Sequence, residues 1–119
     1  MQQAALRLYA IVMPAQSADS IAVIFLSRRS GQDEAGYNAA AERMVKLAKA
    51  QPGYIGMDSV RDRDGVGITV SYWADDASAR AWRDHPEHVE IREAGRQRWY
   101  CSYDLHVARI ERSYDWSQA

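Results

Sequence analysis

The sequence predicts an α+β fold with helices on one side of an antiparallel sheet. Three observations predict it. Apolar patterns of period two and of helical period follow one another in the order strand, helix, strand, strand, helix, strand. An Asp64-Gly65 step joins the middle two strands as a hairpin. The first strand is apolar on both parities, more than a strand covered on one face requires. The chain has 119 residues, 47% hydrophobic and 26% charged, the balance of one globular domain.

Residues 1–19 read as an N-terminal arm, residues 20–116 as the single domain and 117–119 as a tail. Leu6 to Met13 is moderately apolar, and Ala15-Gln16-Ser17 loosely resembles a signal-peptidase site. The lone Arg7, with Tyr9 and Pro14 interrupting the apolar part, falls short of a secretory signal. An arm with that many apolar residues is expected to dock on something.

In Ser20–Arg29, Ile21, Val23 and Phe25 alternate with Ala22, Ile24 and Leu26, so both faces of this strand are expected to be buried. A loop follows, then a helix to about Gln51. Tyr37, Ala40, Ala41, Met44, Leu47 and Ala48 share its apolar stripe, and Pro52-Gly53 ends it. Tyr54–Asp62 and Val66–Trp73 are the hairpin strands. On the second, Ile68, Val70 and Tyr72 form one face; Gly67, Thr69, Ser71 and Trp73 form the other, small and polar enough to leave room beside it. Asp75-Asp76 starts a helix running through Trp82 to about Asp84. His85-Pro86 breaks it, and Pro86 suits the first turn of a second segment to about Arg98. Trp99–Arg112 is a long last strand.

This order is the split β-α-β pattern of ferredoxin-like folds: a four-stranded antiparallel sheet with both helices on one face. The uncovered apolar face needs a partner, and two such sheets packed face to face give a homodimer with a barrel-like interior.

Composition excludes several classes. Fifteen Lys and Arg against sixteen Asp and Glu give a net charge of −1, so no nucleic-acid partner is expected. No apolar run reaches the length of a membrane span, and no membrane partner is expected. Cys101 is the single cysteine, which favours a cytoplasmic setting and reads as a small buried strand residue. Arg28, Arg29, Arg61, Arg63, Arg109 and Arg112 mark strand ends and read as solvated or ion-paired.

The second helical region carries the chemistry. Trp82, His85, His88, Ile91, Arg92 and Gly95 recur at three- and four-residue spacing and are expected to face the sheet. A purely structural helix would place aliphatic residues there, so two His and an Arg point to a polar-lined pocket. Against this, His85 reads equally well as a cap for the segment after it, and His88 as a half-exposed surface residue. A histidine pair without further ligands is a weak metal signal, and no metal is expected. Trp73, Trp82, Trp99, Tyr72, Tyr100 and Tyr103 could enclose a flat aromatic ligand or fill the core between helices and sheet; Trp99 reads as core filler, Trp82 and Tyr72 as pocket residues.

Gln51-Pro52-Gly53-Tyr54, the strand Gly65 to Trp73, Trp82 with Glu87-His88, and Arg98-Trp99-Tyr100 together resemble the antibiotic biosynthesis monooxygenase family. The similarity is to its bacterial branch related to haem-degrading monooxygenases and covers about Ile21 to Trp116. It implies a ferredoxin-like subunit that dimerises through its sheets into an α+β barrel. It also implies either oxygenation of a phenol or quinol without metal or flavin, or haem binding. The haem-degrading members use an Asn on the first strand, a Trp on the second helix and a His ligand. Here Trp82 stands at the Trp position, Arg92 at the ligand position, and Ile21–Arg29 holds no Asn. The reading is therefore a cofactor-independent monooxygenase of a small aromatic molecule. His88 is the expected base, Arg92 and Tyr72 the expected oxyanion donors, and Trp82, His85, Trp73 and Tyr103 the expected binding residues. The alternatives are a non-catalytic module that binds a small molecule or haem, and an interaction protein with a vestigial pocket.

Overall fold

The computed structural model describes the backbone of residues 7–10 and all of residues 19–118. Five strands form one antiparallel sheet in the order β1-β3-β4-β2-β5. The strands are β1 (Arg7–Ala10), β2 (Ile21–Arg29), β3 (Tyr54–Arg61), β4 (Val66–Trp73) and β5 (Tyr100–Arg109). The helices are α1 (Glu34–Lys49), α2 (Asp76–Arg83) and α3 (Pro86–Ala94), with a wide turn at Gly95–Trp99 leading into β5. Four of the strands are those expected. The fifth, β1, comes from the arm, whose backbone pairs with β3 through Arg7 opposite Arg61. Residues 1–6 and 11–18 of the arm lie outside the described part. Among the described residues no helix is long and apolar enough to cross a membrane.

Local chemistry sets the boundaries. The Asp33 carboxylate accepts from the Gly36 N–H at 3.1 Å and starts α1. Asp75 does the same for α2 through Ser78 at 2.8 Å. His85 caps α3, its Nδ1 accepting from the Glu87 N–H at 3.2 Å, with Pro86 in the first turn.

Register assigns the two sheet faces. Ile21 lies opposite Trp73, Val23 opposite Ser71, Phe25 opposite Thr69 and Ser27 opposite Gly67. Trp73 joins Ile21, Ala48, Met57, Ala79 and Trp82 in the buried core, so this parity faces the helices. The other parity carries Ile24, Leu26, Val60, Ile68, Val70 and Tyr72 and has no helix over it. In a single protomer this face is open: Ile68 is 46% exposed and Val66 38%. The expectation that both faces of β2 are buried therefore does not hold within the described part of one chain, where Val23, Ile24, Phe25 and Leu26 are all half-buried. Cys101 is exposed, not buried, since β5 is an edge strand.

Candidate active site

On their helix-facing side the central strands β2 and β4 are buried at both ends but only half-buried in the middle. Ile21 (2%) and Trp73 (0%) close one end; Ser27 (5%) and Gly67 close the other. Between them Val23, Phe25 and Thr69 are half-buried, while Ser71 is buried (7%). The helices thus cover Val23, Phe25 and Thr69 less completely than the ends of these strands. This part of the face carries two hydroxyls, Ser59 and Thr69, 2.7 Å apart on neighbouring strands. They share one hydrogen bond, so one hydroxyl proton stays available. Arg43 of α1 grips Glu87 of α3 through two bonds of 2.9 and 2.7 Å, tying the two helices together.

At the Trp73 end of this face three rings stack, with the His85 ring tilted against them. Trp73 and Trp82 lie 6.1 Å apart at 23°, His88 lies flat on Trp82 at 4.3 Å and 18°, and His85 sits 5.8 Å from the Trp82 ring. The Trp73 indole N–H donates to Ser71 Oγ at 2.9 Å. His88 Nδ1 is 2.9 Å from the Trp82 carbonyl oxygen. A carbonyl only accepts, so Nδ1 carries the proton and the neutral ring keeps Nε2 as an acceptor. Burial holds the His88 pKa below its ordinary value, and the Arg92 and His85 charges push the same way against the Trp82 bond. Arg92 itself donates to the Arg83 carbonyl at 3.3 Å.

The other end is built from residues that sequence reasoning placed elsewhere. Tyr37 at the start of α1 is buried, with Arg29 3.4 Å above its ring centroid and Arg61 at 5.3 Å. Arg61 donates to Ser27 Oγ and the Tyr37 hydroxyl at 3.0 Å each and to the Gly65 carbonyl at 2.6 Å. It lies across Gly67, its partner on β4: a Cβ there would stand 2.6 Å from the guanidinium carbon. Burial and the neighbouring Tyr37 hydroxyl push the Tyr100 phenol well above the ordinary tyrosine range. Arg29 is ion-paired, one of the two readings open for it, with Glu34 at 3.0 Å, and lies on the Tyr37 ring; Arg61 bonds only neutral oxygens, because Gly67 leaves space for it there.

The structure brings Trp73, Trp82, His85 and His88 together, with Arg92 close enough for its charge to act on His88. Tyr72 is not with them. It points to the bare sheet face and donates to Asp58 at 3.2 Å, since neighbours on a strand alternate and Trp73 faces the helices. Tyr103 stands against Phe25 (5.2 Å) and Tyr100 (6.1 Å), its hydroxyl bonded to Arg96 at 2.8 Å. The capping role of His85 is the structural one that sequence left open beside the functional one. Among the described residues no group of three or more His, Cys, Asp or Glu is placed to hold a metal.

The antibiotic biosynthesis monooxygenase profile matches residues 20–94, more than half of the chain. The chain belongs to that family. An uncharacterised protein of Bacillus subtilis, YqjZ, is 50% identical over 91 residues, covering 76% of this chain and 79% of the relative. The fold is that of SnoaB, a cofactor-independent oxygenase from Streptomyces nogalater (TM-score 0.69, 17% identity, 81% of this chain and 97% of that one). A conserved protein of Methanosarcina mazei shares it as well (TM-score 0.68, 11% identity, 76% of this chain and 91% of that one). The ferredoxin-like expectation from the strand and helix order therefore holds.

Proposed function

We propose that this protein is a cofactor-independent monooxygenase of a small phenol- or quinol-like aromatic molecule, acting as a homodimer joined through the bare sheet faces. The observation that carries the reading is His88: a half-buried, neutral imidazole with a defined tautomer, stacked on Trp82. In this reading the ring of the substrate lies beside Trp82, and Nε2 of His88 accepts the phenol proton. The electron-rich phenolate carbon then reduces dioxygen and forms a carbon–oxygen bond to give a hydroperoxide. Loss of water leaves a quinone carbonyl, so one oxygen atom enters the product and the other leaves as water with both substrate hydrogens. Arg92 favours the anionic intermediate by its charge, and the Ser59–Thr69 pair supplies a donor from the sheet. Tyr72 has no part in this step from where it stands. The oxygenase description of SnoaB, a structural relative, supports the reaction class.

The test is oxygen uptake with a naphthohydroquinone in chelator-treated protein, corrected for autoxidation. His88→Gln is expected to lower kcat about 100-fold, the contribution typical of a positioned base. Turnover by the variant at the wild-type rate would remove His88 from the mechanism.

A further inference from the structure

We propose that Arg29 and Arg61 form a binding site for a small oxyanion of carboxylate or phosphate type, at the end of the sheet remote from His88. A depression of about 290 Å³ opens there between residues 29–31 and the hairpin 61–65, with both arginines and Glu34 in its wall.

Two guanidiniums are sunk in this wall and a single carboxylate answers them. The Arg29 side chain is 5% exposed and pairs with Glu34 at 3.0 Å. Arg61 bonds only neutral oxygens, those of Gly65, Ser27 and Tyr37, and its Nε is buried with no partner among the described residues. Burying a cation without a counter-charge is costly, so the pair is short of one anion. The other charges at the rim do not supply it. Asp62 accepts from the Val66 N–H at 3.0 Å and is committed to the hairpin turn. Asp64 is exposed in the same turn beside Arg63.

Glu34 is the stand-in. Its side chain is 67% exposed, so its pairing with Arg29 is weak and readily given up. An incoming oxyanion takes its place on Arg29, gains the charge of Arg61, and leaves the Glu34 carboxylate to solvent. This site does not depend on the monooxygenase reading and uses no residue of the His88 stack.

Calorimetric titration of the full-length protein at constant ionic strength tests it, with acetate, benzoate and inorganic phosphate as probes and chloride as the control. Saturable binding of acetate or benzoate assigns a carboxylate, and of phosphate alone a phosphate group. Glu34→Gln, an exposed change that leaves the fold intact, is expected to tighten binding about three-fold by removing the competitor. Arg29→Lys is expected to weaken it about tenfold by losing the planar fork. Heat no larger than chloride gives, or a Glu34→Gln protein that binds no tighter than the wild type, overturns the proposal.

Discussion

His88 takes its tautomer from the Trp82 carbonyl and its low proton affinity from burial. Both follow from one turn of chain: the His85-Pro86 break folds α3 back so that residue 88 lands on residue 82. The pH consequence has a definite sign. Above the unfolded value of about 6.5 the ring is neutral in both states. As pH falls below that, the unfolded chain takes up the proton first, and stability drops until the folded His88 protonates too. Urea unfolding measured from about pH 7.5 down to about pH 5 should therefore show a loss in the wild type that His88→Gln reduces. The same depression keeps the base competent into mildly acidic solution, so the acid limb of activity should lie below about 6.5. Much of this end was legible, because Trp82, His85 and His88 recur at helical spacing. Tyr72 was not placed well: strand parity alone separates it from Trp73, so the two could not line one pocket. Arg61 and Tyr37 were hidden, since only the register that sets Arg61 beside Gly67 reveals the space.

Among the elements, the turn from α1 into β3 is the least tolerant joint. Gly53 sits at φ +83°, and an added Cβ would collide with Ser78 Oγ on α2. Gly53→Ala should cost about 2 kcal/mol in chemical unfolding, from backbone strain plus the displaced helix. Gly31, at φ +86° with nothing within 4 Å, carries the strain alone, so Gly31→Ala should cost less. Equal losses at both positions would show that contact with α2 adds nothing. Helices and hairpin were readable because caps, Pro-Gly stops and periodicity agree with the tertiary structure. The arm strand was not, because four residues paired at a sheet edge leave no periodic signature. The exposure of Cys101 likewise depends on β5 being an edge strand, which strand order decides and local pattern does not.

At the scale of the whole molecule, the sheet is a partition. Its helix side holds the Trp82–His88 stack, and its other side bears Ile24, Leu26, Val60, Ile68 and Val70, the face assigned to the proposed dimer. Because Ile68 is 46% exposed in the protomer, Ile68→Asp should fold normally yet shift sedimentation from dimer to monomer. A wild type that sediments as a monomer at working concentration would contradict the proposed assembly. The chemistry proposed at His88 has its own direct test. Turnover of a naphthohydroquinone under heavy-isotope dioxygen, with chelator present, is followed by mass spectrometry of the quinone product. The account predicts one labelled oxygen per quinone, at a rate that falls with His88→Gln. Quinone without label, or label entering at the same rate in the variant, would contradict it.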